Sequence, residues 1–371
     1  MTFLSLGLVI LSAVVTANVA PKTQLIDSKA TKETKALYAN LKKLSKTNIL
    51  FGHQHATEYG HGWSGDVDRS DVKSVVGSHP AVIGVDFAGL ASLDMARVKA
   101  EQDRLRKVIV DTYNRGGVIT ISMHLSNPVY GGNFNATPGM ANTVKEIIPG
   151  GAHHGDFAKM LANIGDLAKS CVGKDGKLVP MIFRPWHEFD GDWFWWGRAH
   201  CSIEEFTALY KMTVTELRDT NGVHNLIYAF SPDCKFNSEA EFLERYPGDQ
   251  FVDLVGFDDY ADFGRDRYDL VAGLKKLTIV SDFAKRTGKV AAFTETGLES
   301  IPNPTWWTET LLKTLKSPGL ELSYVLVWRN DQRSPTHFYA PFPGHSSAPD
   351  FQKFYDDPFT LFENDLKGIY K

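Results

Sequence analysis

Apolar residues in this chain gather into short runs rather than long blocks. Eight of them read as strands: Asn48–Gly52, Ala81–Phe87, Gly117–Met123, Leu178–Phe183, Asn225–Phe230, Phe251–Phe257, Lys289–Phe293 and Ser323–Trp328. Longer segments with helical spacing alternate with them. Ser28–Leu44 places Leu37, Leu41 and Leu44 on one side, and Asp94–Arg115, Gly155–Ser170, Ser202–Asn221, Leu270–Thr287 and Thr305–Lys316 are long enough for helices. Eight β-like runs separated by helical stretches predict a single (β/α)8 barrel.

The residues that close each run strengthen this reading. In order they are His53 and His55, Asp86, His124, His187 and Glu188, Ser231 and Asp233, Asp258 and Tyr260, Glu295, and Trp328 with Arg329. In a barrel the carboxyl ends of all strands converge on one face, so residues scattered in sequence become one site there. A helical bundle gives no reason for polar residues to recur at these positions.

Composition narrows the ligand. The 371 residues carry 40 basic and 44 acidic side chains for a net charge of −4, which gives no footprint for nucleic acid or an anionic membrane. The 8 Trp and 13 Tyr, several beside polar residues in loop-like segments, suit a neutral ligand such as a sugar, whose rings stack on aromatic faces. No linker divides the chain, so residues 18–371 read as one catalytic domain. Phe3–Ala17 is apolar, too short to span a bilayer, and ends in the small-residue sequence Val15-Thr16-Ala17. It reads as a secretory signal peptide covering residues 1–17, with a secreted or periplasmic product and no stable membrane insertion. Cys171, Cys201 and Cys234 allow at most one internal disulfide and match no zinc spacing.

Two glutamates carry the chemistry. Glu188 follows the fourth run with Trp186 and His187 beside it, and Glu295 follows Phe293 of the seventh. Apolar neighbours desolvate a carboxyl group and raise its pKa toward that of a general acid. Paired across a cleft, one carboxyl can protonate a glycosidic oxygen while the other attacks or stabilises the anomeric carbon. A spacing of about 5–5.5 Å retains configuration and about 6.5–9.5 Å inverts it.

The runs RPWHE, DGDWFWWG, GFDDY, FTETG and VWRN, in this order after FGHQH, resemble glycoside hydrolase family 26, whose best-known members are β-mannanases; the resemblance spans roughly residues 45 to 355. It implies a retaining double displacement on β-1,4-mannan or manno-oligosaccharides, with Glu188 as acid/base and Glu295 as nucleophile, and requires no cofactor or metal. His187, His124 and Arg184 would surround the −1 sugar. Tyr260 would hydrogen-bond the nucleophile, Trp328 would form the floor of the −1 subsite, Trp193 an aromatic platform near +1, and Arg329 a contact near −2. Trp193, Phe194, Trp195 and Trp196 cannot all face one sugar, so at least one of Trp195 and Trp196 belongs to the core. The loop Ala56–Asp68, with Glu58, Tyr59, His61 and Trp63, either contacts sugar or is an ordinary βα loop.

Rival readings remain at this stage. Family-related activities on mixed-linkage β-glucan or β-1,3-xylan share the two-glutamate mechanism. His53 and His55 invite a metal-dependent amidohydrolase, although no further ligand histidines follow the fifth and sixth runs. A barrel that only binds carbohydrate would have no use for a general acid.

Overall fold

The computed structural model describes residues 24–140 and 142–371. The expected leader, 1–17, lies outside the described residues. Among the described residues eight strands build the barrel: β1 Ile49–Gln54, β2 Val82–Asp86, β3 Val118–Ser122, β4 Met181–Phe183, β5 Leu226–Phe230, β6 Leu254–Asp258, β7 Val290–Thr296 and β8 Tyr324–Val327. Each pairs in parallel with the next, and β8 pairs back onto β1 from Leu50↔Tyr324 to His53↔Val327, which closes the barrel. The (β/α)8 expectation holds, and every predicted run overlaps a strand.

Alternation along the strands separates two apolar clusters. Leu50, Val82, Val118, Ile182, Ile227, Leu254, Ala292 and Leu326 fill the barrel interior. Their sequence neighbours Phe51, Ile83, Ile119, Phe183, Tyr228, Val255, Phe293 and Val325 form a larger cluster between the strands and the surrounding helices. The principal helices are α1 Lys32–Leu44, α2 Met95–Arg115, α3 His154–Ser170, α4 Ile203–Thr215 and α5 Leu270–Thr287. α1 starts at Thr31, whose side chain accepts the Thr34 N–H, and it is not part of the outer ring. Its Leu37, Tyr38 and Leu41 join the interior cluster, and the Tyr38 hydroxyl donates to the Asp253 carbonyl at 3.2 Å, just before β6. α1 thus plugs the amino end of the barrel, each buried leucine contributing roughly 1.5–3 kcal/mol. The expected Thr305–Lys316 helix is present, but Trp306–Leu312 takes π-helical geometry before a last turn at Lys313–Leu315.

Toward the carboxyl ends the interior positions turn polar: Gln54, Asp86, Ser122, Arg184, Ser231 and Asp258 continue the inward-facing rows. The same alternation would point Glu295 outward, in step with Ala291 and Phe293. A β-bulge prevents this. Phe257 pairs with Phe293 but the next residue, Asp258, pairs with Glu295, leaving Thr294 as an extra residue on β7. Thr294 and Glu295 therefore both reach the inner face. β7 continues to Thr296, so Glu295 lies within the strand rather than after it.

Candidate active site

Glu188 is held on a bent backbone. Trp186 and Glu188 have φ of 57° and 52°, in the left-handed region that costs a non-glycine residue roughly 1–3 kcal/mol. The loop is over-determined by its contacts. The Glu188 N–H donates to the Ser231 carbonyl at 2.9 Å, Trp186 Nε1 donates to Thr213 Oγ1 on α4 at 3.0 Å, and Trp196 Nε1 donates to the His187 carbonyl at 2.8 Å. Trp195 donates likewise to the Leu125 carbonyl at 2.8 Å, and both Trp195 and Trp196 are fully buried. These two tryptophans are structural. Only Trp193 of the three is half-exposed, and its Nε1 donates to Glu188 Oε2 at 2.7 Å.

The two glutamates sit in opposite electrostatic surroundings. Burial pushes the Glu188 carboxyl well above the usual range, and the nearby charges of Asp258, Asp233 and Glu295 push the same way, opposed by the Trp193 hydrogen bond. Glu295, 3 % exposed, instead accepts from the Arg184 guanidinium and, at 2.8 Å, from the Tyr260 hydroxyl. Arg184 also donates to Asp258 Oδ2 at 2.7 Å, and Asp258 accepts Ser231 Oγ at 3.0 Å and Thr294 Oγ1 at 2.7 Å. Burial alone would lower the Arg184 pKa; Asp258 and Glu295 outweigh it and hold the guanidinium charged. Asp258 is the residue that sequence reasoning passed over: it was visible as a strand-end acid, but its role as the second anchor of Arg184 depends on three strands meeting. Its in-facing position on β6 was the available signal.

The remaining predicted residues converge on the same face. His124 Nδ1 meets Asp86 Oδ2 at 2.5 Å, and its Nε2 lies 3.1 Å from His187 Nε2. His187 is buried and its pKa is pushed far down by desolvation and by Arg184, so its ring is neutral. The Trp328 ring lies 5.5 Å from His124 at 62°, partly exposed. Arg329 pairs with Asp331 at 2.5 Å and lies within electrostatic reach of Tyr59, whose hydroxyl is pushed up to about 12, mainly by burial. The other three sugar-contact candidates of the Ala56–Asp68 loop are engaged with the protein: His61 stacks on Phe342 at 3.7 Å, buried Trp63 donates to Asp71 at 2.7 Å, and Glu58 binds His55 and Arg104. Only Tyr59 of its sugar-contact candidates stands beside the predicted residues.

Among the described residues His53 and His55 belong to no cluster of three His, Cys, Asp or Glu donors, so the amidohydrolase reading lacks its ligand set. Among the described residues, His187, Asp258 and Glu295 bring donor atoms within 4.8 Å of one another, but Arg184 donates to both of those carboxylates and supplies the positive charge a cation would bring. The three cysteines are free thiols.

A parallel barrel whose open end holds two carboxyl groups of opposite character has the parts of a glycoside hydrolase. Comparison with known proteins agrees. The model of glycosyl hydrolase family 26 matches residues 26–313. The mannan endo-1,4-β-mannosidase of Bifidobacterium adolescentis is 36% identical over 356 residues, covering 90% of this chain and 35% of that protein, so the chain spans about a third of the length of this relative. A GH26 β-mannanase from Bacteroides ovatus superposes with a TM-score of 0.85 at 42% identity, covering 92% of this chain and 98% of the other. A GH26 structure from Muricauda gives 0.88 at 36%, covering 94% and 96%. The chain belongs to glycosyl hydrolase family 26.

Proposed function

We propose that this chain is a retaining β-mannanase that cleaves β-1,4-mannosidic bonds in mannan or manno-oligosaccharides. The observation that carries the reading is the unlike setting of its two glutamates. Glu188, desolvated and surrounded by acids, stays protonated and gives its proton to the departing glycosidic oxygen. Glu295, fixed by Arg184 and Tyr260, attacks the anomeric carbon and forms a glycosyl-enzyme. Glu188, now ionised, then removes a proton from the water that releases the sugar. His124, His187, Arg184 and Trp328 line the position of the −1 sugar, Tyr260 orients the nucleophile, Trp193 lies on the leaving-group side and Arg329 on the other. The mannanase relatives support the substrate.

Turnover of mannan, mixed-linkage β-glucan and β-1,3-xylan by the purified protein tests this. Mannan is cleaved fastest, and Glu188→Gln lowers the rate about a hundredfold to ten-thousandfold, the usual contribution of a general acid. Glu295→Gln reduces it to background, while both variants still bind manno-oligosaccharide. Full turnover in either variant would refute the assignment, and preference for glucan or xylan would overturn the substrate while keeping the two roles. In this reading Phe3–Ala17 directs export, and amino-terminal sequencing of secreted protein finds Asn18 first; an intact Met1 on secreted protein would contradict a cleaved leader.

A further inference from the structure

Trp193 is contacted by Gly191 and by Lys235. A Cβ built on Gly191 would come 2.4–2.5 Å from Cη2, Cζ2 and Cζ3 of its ring. A point equally near three successive ring atoms lies above the ring plane, so the Gly191 backbone is seated against one face of the indole. Any side chain at 191 would displace it. The Lys235 ammonium lies over the ring, 4.6 Å from its centroid.

The root of Lys235 is fixed. Asp190, two residues after Glu188, accepts the backbone N–H of Asp233 at 2.6 Å and that of Lys235 at 3.2 Å, which ties the loop after β5 to the loop after β4. The next residue, Phe236, is buried. Lys235 itself is exposed, and among the described residues it forms no ion pair within 4 Å; it interacts with the charge of Asp233 only at longer range. A long, exposed side chain on an anchored backbone can swing without moving the loop.

We propose that Lys235 is a specificity-determining residue of the leaving-group side: its ammonium lies over the Trp193 ring, and a sugar stacks there only by displacing it. This rests on the mannanase reading and deepens it, since the sugar concerned is the leaving group of cleavage and the acceptor of the reverse step. A cation–π contact at an exposed site is worth little, so displacement lowers sugar affinity by about two- to fivefold.

Two measurements test it. In the first, mannopentaose is turned over with added mannotriose, and capture of the glycosyl-enzyme by mannotriose is compared with capture by water. Lys235→Ala raises sugar capture about two- to fivefold at equal acceptor concentration, and in a Trp193→Ala background the same change has no effect. Unchanged or reduced capture in Lys235→Ala would overturn the proposal, the latter by making Lys235 a sugar ligand. The second needs no turnover: NMR of the free protein finds the Lys235 Cε protons shifted upfield by the indole ring current, and Trp193→Ala abolishes the shift. Absence of that shift would refute the geometry, whereas its presence in a protein that cleaves no mannan would count against the mannanase reading alone.

Discussion

Glu188 and Glu295 are one side chain in two solvents. Around Glu188 the charges of Asp258, Asp233 and Glu295 all disfavour ionisation and an indole N–H donates; around Glu295 a guanidinium and a phenol both donate. On the proposed roles the first step needs a protonated Glu188, so its raised pKa extends activity upward in pH, and activity is lost as pH rises through it. The Trp193 hydrogen bond favours the charged form and therefore limits that extension. Trp193→Phe removes the donor, raises the Glu188 pKa further, and moves the alkaline limb of the kcat/KM profile to higher pH; a limb that stays or moves down would show that Trp193 does not act through Glu188. At this scale the sequence was informative because tryptophans and a histidine flank the acid. It did not reveal Asp258 or Asp86 as partners of Arg184 and His124, since each pair joins separate strands.

The β7 bulge decides where Glu295 points. Strict alternation from Val290 and Ala292 would aim it at the helices, and Thr294 as the extra residue returns it to the barrel mouth. No glycine or proline marks the bulge in the sequence, which is why alternation alone misplaces this side chain. Gly256 on β6 makes room for it: a Cβ there would lie 2.5 Å from Thr294 Cγ2 and 2.9 Å from the Ala292 carbonyl. Gly256→Ala therefore forces the bulge to shift, costing about 1–3 kcal/mol by overpacking, and lowers kcat by misaligning Glu295. Urea unfolding together with turnover checks this; wild-type values for both would mean that the bulge does not depend on Gly256. The helices were less legible than the strands. α1 reads as an ordinary amphipathic helix, and only the closed barrel shows its apolar side to be a plug. The π geometry of Trp306–Leu312 has no counterpart in a pattern that counts apolar spacing.

For the whole molecule, the eightfold recurrence of apolar run and polar terminus made the barrel legible, because closure forces interior rows to alternate and carries every strand end to one face. Among the described residues no helix is long and apolar enough to cross a membrane. The central claim is that one face of this barrel performs a double displacement with Glu295 as nucleophile and Glu188 as acid/base. Proton NMR of the first products formed from mannopentaose tests it most directly, read before mutarotation. Two inversions at the same carbon predict the β-anomer as the initial reducing end; initial α-anomer would mean a single displacement by water and would contradict the nucleophilic role of Glu295.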